Sequence, residues 1–181
     1  MKAIFRIEQG LLKQIHIDLS RQHPFAYERV GFIACRVGRI ADGFSILAER
    51  YIPVEDGDYE DGHDVGAMMG SAAIRKALQV AYNDRVSMVH VHRHDQRGVP
   101  RFSSVDLTEG ARFIPDFWNV RPELPHGMVV LSHNAMTGMA WDPASKQRGP
   151  MHEMTVVGRP TGIWRSCYTK VSAATKLPWL Q

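Results

Sequence analysis

The sequence predicts a single mixed α/β domain: one largely antiparallel sheet flanked by helices. The chain has 181 residues, close to the length of one ordinary domain. Its 44% apolar and 23% charged residues match globular proteins and exclude disordered, collagen-like and coiled-coil chains. Helical and strand-like segments also alternate without the strict strand-helix order of a doubly wound parallel sheet.

Ala3 to Ile7 reads as a short strand. Gly10 to Gln22 reads as a helix, with Leu11, Leu12, Ile15 and Leu19 on one side, ended by His23-Pro24 because a residue before proline avoids helical geometry. Tyr27 to Arg36 and Phe44 to Val54 are strand candidates joined by a turn over 38–43, a hairpin. Glu55 to Gly66 holds six acidic residues and three glycines and reads as a solvated loop, with Tyr59 as its contact residue. Ala67 to Tyr82 is rich in Ala, Met and Leu and reads as a helix ending near Asn83-Asp84. An apolar strand begins at Val86, and a polar loop covers Asp95 to Phe102. A helix over Ser104 to Phe113 has a capping-box-like start and is broken by Pro115. Met128 to His133 and Met136 to Trp141 form a second hairpin around Asn134-Ala135, and Glu153 to Val157 is a short strand. The domain spans 1–181, with a core over about 3–160 and a tail over 161–181.

Charge and cysteine usage exclude several function classes. Lys and Arg number 22 against 19 Asp and Glu, a net charge of +3 spread along the chain without the basic stripe of a nucleic-acid binder. The longest apolar runs fall far short of the ~18 residues of a membrane span, and charged residues interrupt the place of a secretory signal. Two distant cysteines, Cys35 and Cys167, make no disulfide framework. A cytoplasmic protein with reduced cysteines is expected.

Three of the nine histidines, His90, His92 and His94, fall within five residues. Along a strand, alternate side chains share a face, so the three imidazoles point the same way. Asp106 follows at the start of the next helix. Two histidines and one aspartate supply three N/O ligands and leave the fourth position of a tetrahedral zinc open to water, the pattern of a catalytic rather than a structural site. Such chemistry also needs a carboxylate to carry protons.

His92-Arg93-His94, an eight-residue loop and then Ser103-x-x-Asp106 resemble the His-x-His, x7, Ser-x-x-Asp core of the JAB/MPN (JAMM) metalloproteases, which cut isopeptide and peptide bonds after ubiquitin-like proteins. Glu28-Arg29-Val30-Gly31 is similar to that family's Glu-x-x-Gly segment, and the order of elements agrees. The resemblance implies a cytidine-deaminase-like fold and Zn²⁺ held by His92, His94 and Asp106. It implies Glu28 as general base toward the attacking water and Ser103 as hydrogen-bond donor to the oxyanion. The implied substrate is the tail of a ubiquitin-like protein or its conjugates, handled alongside activating and conjugating enzymes, as in small stand-alone bacterial-type members. The chain departs from the family pattern at Arg93, at Asp95 and in one extra loop residue, so a second register, His90 and His92 with Asp106, stays open. Two other functions fit parts of the pattern: a metal-free MPN scaffold that only binds partners, and a nucleotide hydrolase of the histidine-triad type, because residues 90–94 also read His-x-His-x-His.

Overall fold

The computed structural model describes residues 2–22, 27–60, 66–158 and 162–165. The His23-Pro24 helix stop, Cys167 and the expected tail beyond 165 lie outside them. Strand β1 (Lys2–Glu8) runs directly into helix α1 (Gln9–Leu19). The Glu8 carboxylate accepts the Leu11 N–H at 3.0 Å, which satisfies one of the donors a helix start leaves over. A hairpin of β2 (Val30–Ile40) and β3 (Gly43–Pro53) follows. Helix α2 (Ser71–Asp84) ends on Arg85, whose left-handed φ of 54° closes the last turn before β4 (Ser87–Arg93). Helix α3 (Ser104–Phe113) tightens at Pro115 into a 3-10 segment, Ile114–Asn119. Strands β5 (His126–Leu131), β6 (Met136–Trp141), β7 (Arg148–Val157) and β8 (Gly162–Arg165) complete the described chain.

The strands do not form the expected sheet flanked by helices. They run in the order β1-β3-β2-β4-β5-β6-β7, and β7 pairs back onto β1, so seven strands close into a mixed barrel to which β8 adds along β7. The closing contact is parallel, Ile4 to Glu8 against Glu153 to Val157. A strand near the amino end is thereby zipped to one 150 residues later, and no local turn or repeat signals that pairing. Closure removes the free edges that an open sheet leaves. The fold class read from the sequence, and the cytidine-deaminase-like JAB/MPN architecture implied with it, are therefore corrected to a closed barrel with three α-helices among the described residues. β8 is a further correction, since it lies in the stretch expected as a tail.

Alternation along each strand sorts side chains into two cores. Phe5, Ile7, Ile33, Cys35, Ile46, Val89, Val91, Val129 and Leu131 fill the barrel together with Leu12, Ile15 and Leu19 of α1. The outward set, Phe32, Ala34, Met88 and Met128, meets Ala73, Ala77 and Ala81 of α2, Phe113 at the end of α3, and Ile114 and Phe117 of the 3-10 segment after it. Because β4 turns Val89 and Val91 inward, it must turn His90 and His92 outward, toward α3. The free thiol of Cys35 is buried. No helix among the described residues is long and apolar enough to cross a membrane.

Candidate metal centre

His92 and His94 sit at the carboxyl end of β4, on its outer face. His92 is 2% exposed, and its Nε2 lies 3.2 Å from that of His94. The Asp106 carboxylate stands over both, with one oxygen 3.4 Å from His92 Nε2 and the other 3.6 Å from His94 Nε2. Zinc bonds of about 2.0–2.2 Å in a tetrahedron place ligand atoms about 3.3–3.6 Å apart; the 3.2 Å between the two Nε2 atoms is close to such an edge, while Asp106 meets each imidazole through a different oxygen. Glu28, His92 and His94 also offer ligand atoms that all lie within 4.8 Å of one another. Glu28 therefore belongs to a group that could hold one metal ion, and a carboxylate so placed can serve as ligand or as base. One feature of a usual zinc site is missing: His92 Nδ1 is buried without a hydrogen-bond partner, where a ligating imidazole normally donates to a carbonyl or carboxylate.

Asp106 is delivered by the start of α3. Ser103 caps the helix: its Oγ accepts the Asp106 N–H at 3.1 Å, and Asp106 Oδ2 accepts the Ser103 N–H at 2.6 Å, a reciprocal capping box. Capping occupies a lone pair of Ser103 Oγ and leaves its O–H free to donate. Burial works to raise the Asp106 carboxyl, but the hydrogen bond and charge of His92 and the hydrogen bonds from Ser103 outweigh it, and the group is held well below the usual carboxylate range. Asp106 is an anion at any physiological pH, as a metal ligand must be.

Glu28 is positioned from three sides. Its N–H donates to the Gly66 carbonyl at 2.7 Å, and its carboxylate lies against Gly66, where a Cβ would come within 3.0 Å of Oε2. The neighbouring Arg29 is 3% exposed; its guanidinium donates to the carbonyls of Arg21 and Gln22 and pairs with Asp56 at 2.6 Å. Tyr59 Oη accepts the Val30 N–H at 2.9 Å and donates to the Val30 carbonyl at 3.2 Å. The glycine of Glu-x-x-Gly has a packing reason, since a Cβ on Gly31 would meet the Tyr51 ring at 2.5 Å. Tyr51 is itself held by donating to Asp18 at 2.6 Å.

His90 has a different environment from its two companions. It is enclosed by Phe32 and Phe113, with ring centroids at 5.6 and 5.2 Å, and neither ring nitrogen has a hydrogen-bond partner. Burial, helped by neighbouring His92 and opposed by Asp106, lowers its pKa to about 3. Of the residues singled out in the sequence, the structure thus brings together Glu28, His92, His94 and Asp106, with Ser103 bound to Asp106. It packs His90 beneath Phe32 and Phe113, with its ring against that of His92 at 5.6 Å. The acidic loop supplies anchors where a contact residue was expected: Tyr59 bonds the Val30 backbone and Asp56 pairs with Arg29, holding the segment that leads from Glu28 into β2.

Ser132 and Asn134, which the sequence reading passed over, tie down the loop between His94 and Ser103. Ser132 Oγ donates to the Gly98 carbonyl at 2.6 Å, and Asn134 Oδ1 accepts the Gly98 N–H at 2.8 Å. The only sequence signal for them is the hairpin turn in which they sit. Comparison with models of protein families gives no match, and comparison with curated proteins gives none either.

Proposed function

We propose that this protein is a zinc-dependent peptidase or isopeptidase that cuts after the carboxyl-terminal tail of a ubiquitin-like protein. The observation that carries the reading is the convergence of His92 Nε2, His94 Nε2 and the Asp106 carboxylate at 3.2 to 3.6 Å, with Glu28 beside them. His92, His94 and Asp106 would hold the zinc ion, which would supply Lewis acidity there and bring the pKa of the attacking water to about 7. Glu28 takes a proton from the attacking water at its carboxylate and returns it to the leaving amine. Ser103 donates its hydroxyl hydrogen to the oxyanion, a contact of the kind whose removal costs about 10²–10³ in rate. The partly buried setting strengthens both interactions relative to water. The substrate class rests on the motif resemblance of residues 92–106 and 28–31, and on the general fit of an extended glycine-rich tail to a narrow site.

The test is a cleavage assay on fusions of candidate ubiquitin-like proteins, with and without chelator, beside elemental analysis of the purified protein. About one zinc per chain and cleavage lost to chelator support the reading. A protein that binds no zinc and cuts nothing overturns the reading.

A further inference from the structure

The loop from Asp95 to Phe102 joins the two halves of the candidate centre, and its backbone is fastened along one side. The Gln96 carbonyl accepts the His133 N–H at 2.9 Å. Gly98 bonds through its N–H to Asn134 and through its carbonyl to Ser132, and the Pro100 carbonyl accepts from Thr137 Oγ1 at 2.7 Å. The residues that alternate with these anchors face solvent: Arg97 and Arg101 are exposed, and Val99 is 57% exposed. Asp95 does not neutralise them, because its carboxylate is engaged by His133 at 2.7 Å and lies near Arg93. Neither Arg97 nor Arg101 has an ion pair or hydrogen bond among the described residues. A fastened loop beside the centre therefore displays two exposed, unpaired guanidinium groups with one exposed apolar residue between them in sequence.

We infer that the Arg97-Val99-Arg101 face is a docking surface for an acidic segment of a protein partner, two carboxylates flanking an apolar residue, presented beside the candidate centre. The inference deepens the peptidase reading by giving the substrate protein a chemical signature. Charge complementarity selects the acidic partner, and the anchored backbone lowers the ordering cost of binding. Val99 between the arginines, together with a net charge of only +3, favours a peptide over a nucleic acid, which recruits a broader basic stripe.

The experiment measures binding directly and needs neither metal nor cleavage. A fluorescein-labelled peptide containing Glu-Gly-Leu-Gly-Glu is titrated with the full chain by anisotropy. Its counterparts with Lys or Gln in place of Glu and a labelled uridine dodecamer RNA are run in parallel. The acidic peptide is expected to bind selectively, to weaken about tenfold in Arg97→Glu/Arg101→Glu, and to weaken again at high salt. Arg97→Gln/Arg101→Gln should give an intermediate loss, with circular dichroism confirming that both variants fold. Equal binding of the Glu, Gln and Lys peptides, no binding of the acidic peptide, unchanged affinity in folded double variants, or preferential RNA binding lost in the same variants each overturns the inference. A protein that binds the acidic peptide but cuts no fusion keeps the docking surface and loses the peptidase reading. An active protease indifferent to the acidic peptide does the reverse.

Discussion

Glu28 and Asp106 are both carboxylates within reach of the histidine pair, and their surroundings separate them. Asp106 is pinned by Ser103 and faces both imidazoles, so Asp106→Ala removes an anion from the ligand set. Zinc per chain should then fall well below one by elemental analysis, and cleavage should vanish with it. Glu28 is held by its backbone and by Gly66 packing instead, so Glu28→Gln should keep fold and zinc while cleavage falls by about 10²–10⁴, the range for loss of a general base. Loss of zinc in Glu28→Gln would make Glu28 a ligand. The histidines separate in the same way. His94→Ala should lose zinc and activity, whereas His90→Ala should keep zinc and lose about 1–3 kcal/mol of stability, because it empties a packed aromatic cage. Zinc analysis beside urea denaturation distinguishes the two, and a swap of these outcomes would restore the His90 and His92 register.

At the scale of elements, β2 earns its place in the centre by close packing as much as by the carboxylate before it. Gly31 leaves room for the Tyr51 ring, which approaches where a Cβ would be at 2.5 Å. Gly31→Ala must therefore displace Tyr51 and strain the strand that leads from Glu28. A loss of about 1–3 kcal/mol is expected from such overpacking, read as a lower urea midpoint, together with reduced kcat because Glu28 moves with its strand. Unaltered stability and kcat in that variant would show that the ring yields freely. The loop anchors work similarly from the other side: Ser132 is fully buried, and its hydroxyl holds the loop that spaces His94 from Asp106.

Across the whole molecule, buried histidines make the barrel sensitive to acid. His126 accepts the Met88 N–H on Nδ1 at 3.1 Å, so its proton resides on Nε2, which faces the Arg121 carbonyl at 3.2 Å. Burial, opposed by that carbonyl and aided by Lys146, lowers its pKa from 6.5 to about 4. His16, on α1, is lowered to about 4 by burial and by the charges of Arg93 and His133. Below pH 6.5 the unfolded chain binds a proton at each site that the folded chain refuses until about pH 4. Stability is therefore full above pH 6.5 and declines as pH falls toward 4, by up to about 1.4 kcal/mol per unit for each such histidine. Urea midpoints measured from pH 7.5 to 5 should fall accordingly, and a flat profile would mean that the two imidazoles are accessible to protons in the folded state.

The sequence by itself determined the local pieces: a helix over Ser104 to Phe113 with its Ser103 cap, a strand that turns alternate histidines to one face, and a glycine three residues after Glu28. Each follows from spacing or capping chemistry contained within a few residues. It also brought Glu28, His92, His94, Ser103 and Asp106 forward as one group. Only the tertiary structure brought the Nε2 atoms of His92 and His94 to 3.2 Å and packed His90 between Phe32 and Phe113, because the strand's outer face is covered by aromatic side chains from β2 and α3 along its length and is open only at its end. Only it set Tyr59 on the Val30 backbone and Asp56 on the buried Arg29 guanidinium, since that charge needs a partner once it is buried. And only it closed the sheet: the pairing of β1 with β7 depends on backbone groups that every residue carries, which leave no pattern in side chains 150 positions apart.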